Sequence, residues 1–355
     1  MNFHLAAMEC TFCHKAILTA TTEKFKAHVL ESYWTFKYKD DKFYDELHKR
    51  YERMKASGRV KTIIVDSGAH SIIAAYAGFK NTKHLLKQIR NINEYSEDYL
   101  RFVDRFKDVV DYFFEIDSAP FTYTYEVQRD WRDKFYAKVN NPHQFMPVWH
   151  VRYNPQNLRE TLEQHFRDYA YIGISTELEW NADRFARYFE VKKDFNCNVH
   201  GLAITALDRM KEFPFFSVDS TSYLHDAITK CIRIFDKKTC TQDLVYLGTQ
   251  KPSVGMTPLV HMNKAHHKPV FEYAAYLREK YGLLIMDDLF LLGQSSAAGM
   301  PLEQYHKCRE ALVLYNMATF LEMEEYLNTH GHDFTDKKQT ELFDWLTGEP
   351  HGKTV

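Results

Sequence analysis

Phe215-Phe216-Ser217-Val218-Asp219-Ser220-Thr221-Ser222-Tyr223 is an apolar, β-prone run that stops at an aspartate and three small hydroxyl residues. Short apolar runs bounded by turn residues read as buried strands. A carboxylate at the carboxyl end of such a strand is poorly placed for packing and well placed for a reaction. The pattern recurs upstream, at Asp66 in TIIVDSGAH (62–70) and at Asp117 in YFFEIDSAP (112–120). One aspartate in that setting reads as a turn residue or helix cap. Three of them, each ending an apolar strand and each followed by serine, read together as a site.

Working outward from these runs, apolar strands are expected at residues 2–9, 60–65, 109–116, 145–150, 169–174, 199–205 and 215–219. An eighth is sought at 243–247 or in a stretch where its pattern is harder to see. Between them lie segments with helical spacing, joined by connections of a few residues. Residues 20–58, rich in Lys, Glu and Tyr, read as surface helices, and 126–139 as a helix with a solvated RDWRDK face. Strand–helix alternation argues for parallel βαβ units, and the strand count favours an α/β fold of the (β/α)8 TIM-barrel type over an open sheet. In such a barrel the carboxyl ends of all strands meet at one rim. Asp66, Asp117, His150, Gly173 and Asp219 are then expected to converge there. After residue 250 the pattern changes to helices at 268–281 and 301–327 separated by a GQSSAAG segment. The chain is divided accordingly into a catalytic barrel, 1–250, and a helical C-terminal extension with a polar tail, 251–355.

Composition restricts the function classes. The 355 residues are 45% hydrophobic and 26% charged, an ordinary globular balance, with 26 Phe and 23 Tyr. A formal net charge of −2 gives no global attraction to nucleic acid, although a local basic surface is compatible with it. No run approaches the roughly 18 apolar residues of a membrane span. MNFHLAAMECTF lacks the charged segment and long apolar core of a signal peptide, and six scattered cysteines suit reduced thiols. A cytoplasmic setting is expected, the host cytoplasm if the chain is phage-encoded. Cys10-x-x-Cys13-His14 reads as ordinary thiols near a strand end. Of the alternatives, c-type haem attachment needs an export route for which the sequence shows no signal, and zinc needs further ligands that no second Cys-x-x-Cys supplies. His261, His266 and His267 read as a polar loop. No metal and no cofactor is expected.

These motifs resemble the tRNA-guanine transglycosylase (queuine/archaeosine tRNA-ribosyltransferase) superfamily, whose fold is a (β/α)8 barrel. Asp66-Ser67-Gly68-Ala69-His70-Ser71 is similar to that family's DSGGFQ segment, and residues 114–120 to its FDECTP-like segment. Residues 171–174, with Gly173, are similar to an IGG-type segment, and residues 216–220 to the MFDCV-type segment that carries the nucleophile. The likeness covers roughly residues 60–225. It implies that Asp219 attacks C1′ of a nucleoside and displaces guanine, forming a covalent glycosyl-enzyme. A 7-deazaguanine base such as preQ0 or a derivative then takes its place. The resemblance makes Asp66 the general acid/base and assigns base binding to Asp117, Ser67, Gly68, His150 and Gly173. A target nucleotide would leave its stack to reach such a pocket.

The chain departs from the tRNA enzymes where they hold tRNA. Trp149-His150 stands in place of a glutamine. Ser220-Thr221-Ser222-Tyr223 replaces the proline-threonine-arginine segment, and the family's zinc site of three close cysteines and a histidine is missing. These departures resemble the divergent phage-associated, DpdA-like branch, which places 7-deazaguanines in DNA. DNA is therefore the favoured partner and tRNA the alternative. Two further readings stay open: a barrel nucleosidase or glycosidase, in which water completes the reaction, and a non-catalytic nucleic-acid-binding accessory subunit.

Overall fold

Strand β1 (Asn2–Leu5) lies mid-way along a wholly parallel sheet. It belongs to a computed structural model that describes residues 1–69, 71, 92–116, 125–138, 142–149, 158–175, 182–204, 206–248, 256–262, 264–283 and 301–331. On one side of β1 follow β2 (Ala27–Ser32), β3 (Val60–Asp66), β4 (Tyr112–Phe114) and β5 (Phe145–Met146). On the other follow β9 (Ser217–Ser220), β8 (Asn198–Leu202), β7 (Tyr171–Ser175) and β6 (Val148–Trp149). β5 and β6 are two halves of one chain passage broken at Pro147. The first half pairs with β4 and the second with β7, so the sheet closes into an eight-stranded barrel. Proline cannot donate to a ladder and is tolerated at such a break. Its carbonyl still accepts the Gly173 N–H at 2.8 Å. The chain has the expected (β/α)8 TIM-type fold.

Helices alternate with the strands: α1 (Thr11–Ala20), α2 (Asp41–Ala56), α3 (Ile92–Phe106), α4 (Tyr125–Tyr136), α5 (Leu158–Asp168), α6 (Ala182–Lys192), α7 (Leu207–Glu212) and α8 (Ser222–Ile228). Their apolar stripes face the barrel. On α3, Tyr95, Tyr99, Phe102 and Phe106 recur at helical spacing and are buried. Phe102 and Phe106 stack at 4.3 Å. Asp40 caps α2 by accepting the Phe43 N–H at 2.8 Å. A barrel strand is buried on both faces, so β3 reads as one apolar run. Ile63 and Val65 face the helices, whereas Ile64 joins an interior cluster with Leu30, Phe114, Met146 and Tyr171.

Three expectations are corrected. The strand that completes the barrel is β2, inside the stretch read as surface helix. Residues 241–246 form instead one arm of an antiparallel hairpin, β10 (Cys231–Asp236) with β11 (Thr241–Tyr246). β2 escapes an apolar pattern because His28 and Glu31 are fully or nearly fully buried in it. One oxygen of the Glu31 carboxylate, Oε2, is bound by Arg50 and by the Tyr51 hydroxyl at 2.6 Å, both from α2, while Oε1 has no partner among the described residues. The RDWRDK run is likewise not wholly solvated. Arg132 is buried, donating to Glu115 at 2.8 and 3.0 Å, and Glu115 also accepts the Val148 N–H beside the barrel seam.

Beyond the hairpin lie α9 (His267–Tyr281) and the 29-residue α10 (Leu302–His330). α10 packs on α1, α8, β1 and β10, within the same continuous core as the barrel strands. Phe320 stacks on Phe3 at 4.4 Å, and Glu324 accepts the Phe3 N–H at 2.7 Å. Glu322 is fully buried and receives Lys237 and Lys280 at 2.6 Å each, together with the Tyr276 hydroxyl at 2.7 Å. These bonds bind the hairpin, α9 and α10 together. The polar tail beyond residue 331 lies outside the described residues. Among those described, no helix is long and apolar enough to cross a membrane.

Candidate active site at the carboxyl rim of the barrel

Asp219 is the third residue of β9, and strand alternation turns it inward with Ser217, while Val218 packs outward. β8 is in register beside it, His200 against Ser217, so the His200 imidazole reaches both inward residues of β9. His200 Nε2 lies 3.1 Å from Asp219 Oδ1, and the Ala203 N–H donates to the same oxygen at 2.8 Å. Ala203 has φ +56, a left-handed conformation unusual for alanine, which turns the chain after β8. On the other side of the ring, His200 Nδ1 meets Ser217 Oγ at 2.6 Å, and Ser217 Oγ bonds the Tyr171 hydroxyl.

Donor counting orders the protons. A carboxylate only accepts, so His200 Nε2 carries a hydrogen. In the neutral tautomer Nδ1 then accepts from Ser217, whose oxygen accepts from Tyr171. The chain Tyr171–Ser217–His200–Asp219 therefore ends on Oδ1. Among the described residues Oδ2 has no hydrogen-bond partner, and the side chain keeps 12% of its surface exposed. A carboxylate held rigidly by one oxygen, with the other open, suits nucleophilic attack.

Asp66 ends β3. Its Oδ2 accepts from Ser32 Oγ at 3.2 Å and from the Gly68 N–H at 3.0 Å. Gly68 has φ +83, and a Cβ there would meet Tyr95 Oη at 2.5 Å and Trp34 Cβ at 2.9 Å. Glycine is therefore required twice over, by conformation and by close packing. Ser67 is buried, its carbonyl accepts from the Tyr95 hydroxyl at 2.6 Å, and its Oγ has no partner among the described residues. Asp66 and Asp219 enter the rim from strands three steps apart round the ring.

The other expected residues divide. Gly173 lies inside β7 with its N–H in the ladder to Pro147, and a Cβ there would meet Phe114 Cε1 at 2.7 Å. Its missing side chain makes room for that ring within the barrel. Asp117 and His150 lie outside the described residues. At the start of α1, burial pushes the Cys13 thiol up. His14 is pushed down to about 4 by burial and by Arg50 and Arg53. Among the described residues no group of three or more His, Cys, Asp or Glu side chains can hold a metal ion.

Three rim residues escaped the sequence reading. His200 was placed on a strand but not in the site; its signal was a polar side chain on the inward face, level with Ser217. Ser32 was missed with β2. Glu9 follows β1, and its Oε2 accepts the Ser32 N–H at 3.3 Å. Burial raises its carboxyl to about 7, with smaller contributions from the charges of Glu31 and Asp66. Its signal was the same as for the aspartates, a carboxylate just past an apolar strand. Below the rim His4 and His28 share Thr62 Oγ1, at 3.0 and 2.7 Å. Burial, chiefly, holds both rings neutral, His28 down to about 3. In comparisons with known proteins, no family model, no curated protein and no solved structure matches this chain.

Proposed function

We propose that this chain is a base-exchange transglycosylase that replaces guanine in a nucleic acid, DNA in preference to tRNA, with a 7-deazaguanine. The observation that carries the proposal is the setting of Asp219, with Oδ1 fixed by His200 and Ala203 and Oδ2 unpartnered among the described residues. Oδ2 attacks C1′ of an extruded nucleotide, the C1′–N9 bond breaks, and its electron pair leaves with guanine. Asp66, anchored by Ser32 and Gly68, protonates the departing base. The 7-deazaguanine then attacks C1′ of the glycosyl ester, its N9 proton passes to Asp66, and Asp219 is released. Two carboxylates divide nucleophile and acid/base roles in the manner of retaining glycosyl transfer.

The preference for DNA rests on the segment after Asp219. It runs into the start of α8, where Tyr223 is buried and its hydroxyl donates to Ala6 O at 2.5 Å, while Thr221 is exposed. Ser220-Thr221-Ser222-Tyr223 thus carries no cation where the tRNA enzymes have their proline-threonine-arginine segment. The test is nucleoside mass spectrometry on DNA and tRNA from cells making a 7-deazaguanine, with wild-type chain, Asp219→Ala and Asp66→Ala. Modified deoxynucleoside that depends on both aspartates is the expected result. Modification confined to tRNA would move the substrate. Release of free base without incorporation would make the chain a nucleosidase, and modification indifferent to both substitutions would remove the enzyme reading.

A further inference from the structure

Beside Asp66 the rim carries a second carboxylate that the base-exchange steps do not use. The chain leaves β1, bonds back to β2 through Met8 N–H and Leu30 O at 3.4 Å, and places Glu9 next to the end of β2. There Ser32 serves two carboxylates at once. Its N–H donates to Glu9 Oε2 at 3.3 Å and its Oγ to Asp66 Oδ2 at 3.2 Å. Round the ring the order is therefore Asp66 on β3, Ser32 on β2, Glu9 beyond β1 and Asp219 on β9. We propose that Glu9 is a positioning residue that acts on Asp66 through Ser32, its own protonation state setting how tightly Asp66 holds its proton. The role in catalysis rests on the base-exchange reading; the coupling of the two carboxylates does not.

The surroundings of Glu9 favour its neutral form. The titratable groups that face it are Cys10 and Cys13 at the start of α1, Glu31 on β2, Asp66 on β3 and Tyr223 on α8. Glu31 is itself bound by Arg50. Burial acts first on Glu9, and the charges of Glu31 and Asp66 oppose a further negative charge there. Two acids joined in this way titrate as a pair. While Glu9 is neutral, Asp66 gives up its proton to the leaving base and regains it from the incoming one, with no net change. Once Glu9 ionises, its charge makes Asp66 retain its proton, and the acid step slows. Glu9 thus places the upper limit of the working pH range near neutrality.

Carboxyl-carbon NMR of the full chain labelled at Glu decides the coupling without any substrate. The expected result is a glutamate titrating at about 7, as burial and neighbouring charge dictate, that vanishes in Glu9→Gln and shifts to lower pH in Asp66→Asn. A Glu9 signal at the ordinary glutamate value, or one indifferent to Asp66→Asn, would overturn the proposal. The pH profile of base exchange then tests the role. Glu9→Gln should lose the fall in rate above neutrality, and Glu9→Asp should keep one. An unchanged profile in Glu9→Gln would refute the catalytic role while base exchange itself stands. Coupled titration in a chain that exchanges no base would sink the base-exchange reading and leave the pair.

Discussion

Replacing His200 with phenylalanine separates the shape of this side chain from its hydrogen bonds. The ring is fully buried, edge-on to Phe114 at 5.2 Å and to His4 at 5.7 Å, and Phe keeps both contacts. It removes the donor to Asp219 Oδ1 and the acceptor for Ser217, leaving Asp219 with Ala203 N–H and Ser217 with Tyr171. A hydrogen bond to a charged group contributes roughly 1.5–3 kcal/mol, and a neutral one about 1 kcal/mol. The stability measured by urea unfolding should therefore fall by roughly 2–4 kcal/mol. If the bond also aims Oδ2, formation of the Asp219–glycosyl adduct, trapped on a denaturing gel, should slow roughly ten- to a hundredfold, since about 1.4 kcal/mol corresponds to tenfold. A variant within about 0.5 kcal/mol of wild type that forms adduct at the wild-type rate would show that Asp219 is held by something other than this chain of donors.

Other substitutions probe the frame around the site. Gly173→Ala sets a methyl 2.7 Å from Phe114 and 3.4 Å from Val148 inside the closed barrel, and urea unfolding should show a loss of about 1–3 kcal/mol from overpacking. Glu322→Ala strands Lys237 and Lys280 around an empty buried position. Because both lysines reach solvent, the loss should be about 3 kcal/mol, at the low end for broken buried pairs, with limited proteolysis cutting first near α9. Glu9→Gln changes the pH dependence of stability. The folded carboxyl is raised from 4.5 to about 7, so wild type pays for ionising it as pH climbs through that window, by about 3 kcal/mol in full. Thermal melts should therefore coincide at pH below 4.5 and favour the glutamine variant above pH 7; parallel curves across that range would show that the half-buried Glu9 carboxyl is not held neutral by its surroundings.

Local pattern was enough to place Asp66 and Asp219 at strand ends, because a barrel strand buried on both faces leaves an apolar run with an abrupt stop. The run 60–66 in a helix-rich context, and 217–220 after Phe215, carry that mark in residue order alone. β2 carries no such mark. His28 and Glu31 interrupt it, and only the approach of Thr62, Arg50 and Tyr51 from distant positions makes their burial tolerable. Arg132 reads as one charge in a solvated run until Glu115 is brought under it. α10 reads as an appended helix, yet its apolar residues cover β1.

The site divides in the same way. By itself the sequence determined the class of fold, a strand–helix alternation closing into a barrel, and the presence of carboxylates at its strand ends, since both follow from periodicity and from where an apolar run breaks. Which groups act on those carboxylates depends on contacts between residues far apart in the chain. His200 meets Asp219 because β8 and β9 are in register, and Ser32 joins Glu9 to Asp66 because β2 lies between β1 and β3. The asymmetry of Asp219, one oxygen bonded and the other without a partner among the described residues, is thus a property of strand register, which no local stretch of sequence encodes. Tertiary structure decided it, because a hydrogen bond depends on distance in space and not on separation along the chain.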